Sequence, residues 1–352
     1  MQTIETILTS QNTYSCFSEN GQTDLPEISE ILSTIQSGIE PIIFMDSCVC
    51  LHIIKVVDYG LKATNIDFSK ILSLKEYLHN NKPIELSPFF GLMELCWKNG
   101  NFDINKFRDF KHRIDFFKQI PLKDFRKFKY DFNRDYFILK DISLDLPNPY
   151  EVIEPPLMNS YCALLKMRSL AKNGLAKETA EANIYSFLDW MVTVLDSMRA
   201  AEYRLALNVF GGNSVYRKMI GLDCKVSEVK KKLIGTSWDI YHARTTSNSF
   251  LLFQILGNNI SPYFLTSDSN LFNLFKDVNL SLIKDGGNNL NSSFILNSAF
   301  TFPHLDNDFI DTQNRKMMNI FIDRRNLRYE FEKQKVERLI RELELENKII
   351  DE

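Results

Sequence analysis

The sequence predicts an α/β fold: a parallel sheet with flanking helices, split by a long helical stretch and followed by a charged C-terminal helix. Three observations carry that expectation. The run Ile42-Ile43-Phe44-Met45 is continuously apolar rather than alternating, which suits a strand covered on both faces. A helical pattern follows it, with Val49, Leu51, Ile53, Ile54 and Val57 on one side and Gly60 at its end. Strand and helix alternate again after Gly221, whereas the residues between 101 and 220 read as long helices.

Taken in order, residues 1–37 are polar and rich in Ser, Thr and Gln, with a short helical pattern from Ile28 to Ile35. The first part of the core spans 38–100. Ser47 is expected to cap its first helix, and a second helix is expected from Phe68 to His79. Ser87 reads as the N-cap of a third helix, with Pro88 at the first helical position and Glu94 about two turns into it. A helical insertion is expected over 101–220. Lys106 to Lys140 is dense in Phe, Tyr, Lys and Arg. After Pro147, Pro149, Pro155 and Pro156, a helical block runs from Met158 to Phe210, with Gly211-Gly212 as its stop. The second part of the core spans 221–312. It holds a helix around Asp239, a strand from Pro262 to Thr266, a helix opened by Asp268, and a strand from Leu280 to Ile283 closed by Asp285-Gly286-Gly287. Residues 313–352 complete the chain, with one charged helix over 313–350. There is no internal repeat.

Composition bounds the function classes. The 352 residues suffice for one large core with an insertion or for two domains. A net charge of -3 means that nucleic-acid binding would need a local basic patch. Cys16, Cys48, Cys50, Cys96, Cys162 and Cys224 form no CxxC pair. With no signal-peptide pattern at the N-terminus, they read as reduced thiols of a cytoplasmic protein. No apolar run approaches the roughly 20 residues that span a bilayer, so the chain reads as soluble.

Four acids stand at element boundaries or in apolar surroundings: Asp46 after the first strand, Glu94 within Leu92-Met93-Glu94-Leu95, Asp239 within Trp238-Asp239-Ile240, and Asp268 after Thr266-Ser267. Judged singly, Asp46 and Asp268 suit helix N-caps equally well, and Glu94 and Asp239 suit solvated helix positions. An acid facing inward from an apolar run, however, needs a partner. Four converging carboxylates repel one another unless a cation or a proton relieves them, and hard oxygen donors of this kind suit Mg²⁺ or Mn²⁺.

This order of acids resembles the PIN-domain family of metal-dependent nucleases. The elements that match are Phe44-Met45-Asp46-Ser47, an inward Glu94 on the next helices, Asp239 followed four residues on by Ala243, and Thr266-Ser267-Asp268. The resemblance covers about 38–100 and 221–285. It departs in the long gap between Glu94 and Asp239, and in Asn270, where many members carry a further acid. It implies that Asp46, Glu94, Asp239 and Asp268 are catalytic metal ligands for Mg²⁺ or Mn²⁺, with Asp46 and Asp268 binding directly. Ser47, Thr266, Asn270 and His242 would support them. In such sites a second ion roughly 3.5–4 Å from the first steadies the leaving oxygen, and Asn270 implies a weaker second position. The implied activity is a phosphodiester-hydrolysing endonuclease acting on RNA, as a toxin-like or defence effector or an RNA-processing enzyme. A catalytically silent PIN-like nucleic-acid-binding or scaffold protein and a DNA structure-specific nuclease remain open alternatives.

Three further features bear on partners. Arg108, Lys111, Arg113, Arg126, Lys127 and Lys129 alternate with aromatics and form the candidate nucleic-acid-binding segment. The phenylalanines at helical spacing read as core, with the basic side chains as the solvated face. His242 shares a helix face with Asp239 and reads as a surface or capping histidine, or as a group that contacts a scissile phosphate. Tyr329, Val336, Leu343 and Ile350 recur at sevens, which suits either a homo-oligomer seam or packing onto the same chain. A protein inhibitor or regulator is a further partner implied by the resemblance; a membrane is not.

Overall fold

The computed structural model describes residues 14–18, 24–98, 101–130, 149–246, 249–275, 278–284, 290–296, 301–324 and 331–350. In chain order the elements begin with β1 (Ser15–Ser18), α1 (Ile28–Gln36), β2 (Glu40–Met45), α2 (Ser47–Tyr59), α3 (Phe68–Asn80), β3 (Glu85–Ser87) and α4 (Phe89–Cys96). A short ladder of β4 (Trp97–Lys98) and β5 (Asn101–Phe102) leads to α5 (Ile104–Gln119) and α6 (Leu122–Arg126). Next come α7 (Pro149–Leu170), α8 (Lys177–Thr193), α9 (Ala200–Phe210), α10 (Val226–Thr246) and α11 (Ser249–Leu256). The chain ends with β6 (Ile260–Thr266), α12 (Ser269–Phe275), β7 (Val278–Lys284), β8 (Leu290–Leu296), α13 (Asn307–Arg324) and α14 (Lys333–Glu346).

Two compact units share these elements: Met1–Asp145 with Thr245–Lys276, and Leu146–Arg244 with Asp277–Glu352. The expected insertion limits, 101 and 220, coincide with neither boundary. Residues 101–130 form α5 and α6 of the first unit, because Phe107, Ile114, Phe117 and Phe125 are buried in its core.

The first unit is α/β, with a four-stranded mixed sheet in the order β1-β6-β2-β3. β2 pairs parallel with both β6 and β3, and β1 is an antiparallel edge. Every residue of β2 after Glu40 is buried, which is the continuous pattern expected of a strand covered on both faces. The expected strand at Pro262–Thr266 is present and extends back to Ile260. Two helix starts differ from expectation. Asp46, not Ser47, occupies the N-cap position of α2. Ser87 ends β3, and Pro88 immediately precedes α4, yet Ser87 Oγ accepts from the Phe89 N–H at 3.4 Å, so the serine serves the strand and also the capping role expected of it.

Among its described residues the second unit is helical apart from the antiparallel pair β7–β8. The expected block from Met158 to Phe210 is three helices, α7 to α9, and Gly211 ends the last of them. A Cβ at Gly211 would lie 2.3 Å from the Leu207 carbonyl oxygen and 2.9 Å from Phe302, so the stop is also a close approach. The single charged helix expected over 313–350 is two helices, α13 and α14. Val336, Leu339 and Leu343 of α14 are buried, and the helix is tied to α7 by Tyr161 donating to Glu344 at 2.7 Å and Asn347 to the Leu165 carbonyl at 3.1 Å. Of the two uses open to the heptad positions, packing onto the same chain is therefore the one these residues serve. Tyr329 and the Asp285-Gly286-Gly287 turn lie outside the described residues.

Candidate metal centre

The carboxyl end of β2 delivers Asp46, and that of β6 delivers Thr266 and, two residues later, Asp268. Their register is fixed by the parallel pairing of Met45 with Leu265. Strand ends at the carboxyl edge of parallel strands converge in this way on one crevice. Asp46 is fully buried. Its Oδ2 accepts a hydrogen bond from Thr266 Oγ1 at 2.8 Å. The same Oγ1 accepts from the Asp268 backbone N–H at 3.0 Å, so one hydroxyl connects both aspartates. Asp46 Oδ1 is buried, with no hydrogen-bond partner among the described residues.

Helix α4 brings Glu94 to this strand end, and Gly91 is what allows it. A Cβ at Gly91 would stand 2.7 Å from the Met45 carbonyl oxygen, 2.8 Å from Cys50 Sγ and 3.0 Å from the Asp46 carbonyl carbon. Only a glycine lets the helix backbone approach that closely. Glu94 lies three residues on, one turn along the helix. A carboxylate oxygen of Glu94 is within 4.8 Å of one of Asp46.

The electrostatics follow from this crowding. Burial is the main reason the Asp46 carboxyl is pushed up from its ordinary value of 3.8 to about 6, and the Asp268 charge adds to the rise. Hydrogen bonds from Thr266 and Ser47 work against it. The Cys50 thiol is pushed well above its ordinary range by burial, then by the charges of Asp46 and Glu94. In the absence of a metal it is therefore held as a neutral thiol. A pair of close carboxylates, one with an unbonded buried oxygen, needs a proton or a cation. The donors are hard oxygens, so the cations that fit are Mg²⁺, Mn²⁺ and Ca²⁺ rather than thiophilic metals.

Asp268 also fulfils the capping role open to it in the sequence. Its Oδ1 accepts from the backbone N–H groups of Asn270 at 2.7 Å and Leu271 at 3.1 Å at the start of α12. The Asn270 side chain is buried, and its Nδ2 finds no partner. Ser47 is buried as the first residue of α2.

Asp239 and His242 lie on α10, in the second unit. Asp239 is half-buried. The surface reading of His242 is corrected: it is fully buried, with its ring 5.4 Å from that of Trp238 and 5.9 Å from that of Tyr241. Trp238 and His242 are four residues apart and so share the apolar face of the helix.

The basic segment is corrected in part. Arg113 is buried, with Nε donating to Asp58 Oδ1 at 2.7 Å and Nη1 2.6 Å from Asp109. It ties α5 to the end of α2 and is not available to a nucleic acid. Lys111 pairs with Asp115 at 2.6 Å and Arg126 with Glu76 at 2.7 Å. Arg108 is half-buried, while Lys127 and Lys129 are exposed. Phe107, Phe117 and Phe125 are core, as their helical spacing suggests.

Sequence reasoning missed Gly91 and Cys50. Both had a signal: a glycine inside a helical apolar run marks a close approach, and Cys50 stands one turn after Asp46. Among the described residues, no helix is long and apolar enough to cross a membrane, and all six cysteines are free thiols.

No protein-family model matches this chain, and no curated protein or solved structure matches it either. Fold and site together therefore define a class by geometry: an α/β protein with crowded, partly unsatisfied carboxylates at the carboxyl edge of its parallel strands.

Proposed function

We propose that this protein is a PIN-like nuclease dependent on Mg²⁺ or Mn²⁺ that hydrolyses RNA. The observation that carries the reading is the buried, unbonded Oδ1 of Asp46 beside the Glu94 carboxylate. A buried acid oxygen beside a second carboxylate needs a proton or a cation, and a divalent ion supplies that relief at neutral pH. Asp46, Glu94 and Asp268 would hold the ion, and the order of acids along the chain offers Asp239 as a fourth ligand and His242 as a supporting group. When bound, such an ion acidifies a coordinated water and steadies charge on the attacked phosphate. The chain's own residues prepare the site. Thr266 holds Asp46 in one orientation, and its bond to the Asp268 N–H sets the spacing of the second acid. Gly91 keeps α4 near enough for Glu94 to take part.

The test is cleavage of end-labelled single-stranded RNA, with single- and double-stranded DNA alongside, in Mn²⁺ and in EDTA. Wild type is compared with the Asp46→Asn/Asp268→Asn double variant. RNA cleavage that needs both the metal and the aspartates is the expected result; equal inertness of both proteins on every substrate would overturn it. A second reading, a binding protein without activity, is favoured by Asn270 in place of an acid and by the use of Asp268 Oδ1 as a helix cap. It predicts neither cleavage nor thermal stabilisation by Mn²⁺, whereas a metal-binding enzyme gains stability with Mn²⁺ by mass action.

A further inference from the structure

The first unit contains a cavity of about 850 Å³ that none of the four acids lines. That volume is within the roughly 300–1,000 Å³ range of small-molecule sites. Its walls come from the end of α3, the strand β3 with the residues before it, and the segment joining α5 to α6. Lys75, Lys82, Lys118, Lys123 and Arg126 line it, against Glu85. Part of that charge is already engaged: Arg126 pairs with Glu76 at 2.7 Å, and Lys118 is 3.9 Å from Asp115. Lys75, Lys82 and Lys123 have no carboxylate partner among the described residues.

Lys75 is the informative member. It is buried, and its ammonium donates to the Phe117 and Lys118 carbonyl oxygens at 2.6 and 3.0 Å and lies 5.1 Å from the centroid of the Phe117 ring, with no carboxylate partner among the described residues. Those carbonyls end α5, so Lys75 caps a helix C-terminus. They leave the third ammonium proton unassigned and the net charge uncancelled. The helix end and the ring offset that charge only in part, and Lys75 lines a cavity that Lys82 and Lys123 also line. Ile84, Leu86, Ile120 and Pro121 supply apolar wall. Cationic and apolar groups lining one cavity suit a ligand with an apolar part and a charged one, which describes a nucleotide better than a plain polyanion.

We propose that this cavity binds a nucleotide unit, with its phosphate held by Lys75, Lys82 and Lys123. The unit is either free or part of a single strand. In the second case the proposal rests on the nuclease reading and places a phosphate subsite outside the metal centre.

Binding is measured without turnover, by fluorescence anisotropy in EDTA, with a labelled single-stranded RNA 12-mer and with a labelled adenosine nucleotide as separate arms. The probe set is wild type, Lys82→Glu/Lys123→Glu, and Lys177→Glu/Lys231→Glu as a control of equal charge change on exposed lysines of the second unit. The expected result is a loss of affinity of about tenfold or more in the cavity variant, with a shallower salt dependence, and little change in the control. Loss in the RNA arm identifies a strand, and loss in the nucleotide arm alone identifies a free nucleotide; either supports the site. Equal binding by all three proteins, or equal binding of polyglutamate, would overturn it. Because binding is read in EDTA, failure of the nuclease reading shows separately, as absent RNA cleavage in Mn²⁺ with the difference between wild type and the cavity variant intact.

Discussion

Replacing Asp46 with Asn removes one charge from the most buried point of the metal centre and keeps an oxygen able to accept from Thr266. In the folded protein without metal, the Asp46 carboxyl stands at about 6 against an ordinary 3.8. A folded-state value above the unfolded one contributes stability that is complete below the unfolded value and is lost as pH rises through the folded value. Wild type should therefore lose stability between about pH 4 and pH 7 through this one group. At about 1.4 kcal/mol per pH unit, the loss is of the order of 3 kcal/mol. Asn cannot ionise, so Asp46→Asn should be close to wild type at pH 4 and more stable by up to that amount at pH 8. Urea unfolding followed by circular dichroism in EDTA measures the difference at both pH values, with unchanged slopes required for comparison. Adding Mn²⁺ at pH 8 should stabilise wild type by about 2.7 kcal/mol at a hundredfold excess over the dissociation constant, and leave the variant unmoved. A variant destabilised equally at pH 4 and pH 8 would refute the reasoning, because Asp46 would then be an ordinary structural acceptor.

Two other substitutions test neighbouring parts of the structure. Gly91→Ala forces a methyl against the backbone at Met45 and Asp46. It should cost about 1–3 kcal/mol and also abolish the Mn²⁺-dependent rise in melting temperature, read by differential scanning fluorimetry. Arg113→Gln leaves Asp58 and Asp109 without their shared cation. It should lower stability by about 3 kcal/mol while the RNA affinity of the folded protein, measured at low temperature, stays unchanged.

The parts of this fold legible in the sequence were those set by local chemistry. β2 announced itself because a strand buried on both faces has no room for alternation, and Asp268 because an acid just before a helix can satisfy two backbone N–H groups. Boundaries set by neighbours were less legible. Ser87 has the composition of an N-cap and its Oγ accepts from the Phe89 N–H, but its backbone also pairs with Phe44 in the sheet, so strand and cap share one residue. Lys106 to Arg126 looked like inserted helix because it follows a core segment in the chain. Its phenylalanines bury against the first unit, which spacing alone does not reveal. Arg113 read as a phosphate contact because its partner Asp58 is far away in sequence. At the metal centre the acids at strand ends were visible, whereas the closeness of Glu94 depends on the missing side chain at Gly91.

The strand order β1-β6-β2-β3 has a consequence for how the protein is made. β6 lies between β1 and β2, yet a ribosome reaches it only after all of residues 146–244 have been synthesised. Until then the emerging chain has an edge of β2 without its neighbour and β1 without any partner, and Thr266 and Asp268 do not yet exist. Domains fold as units during synthesis, and pairing across so long a loop is slow. The first unit is thus obliged to wait for its own middle. The fragment 1–145 should stay protease-sensitive, and the two aspartates can meet only late in translation, once the intervening helices are already outside the ribosome.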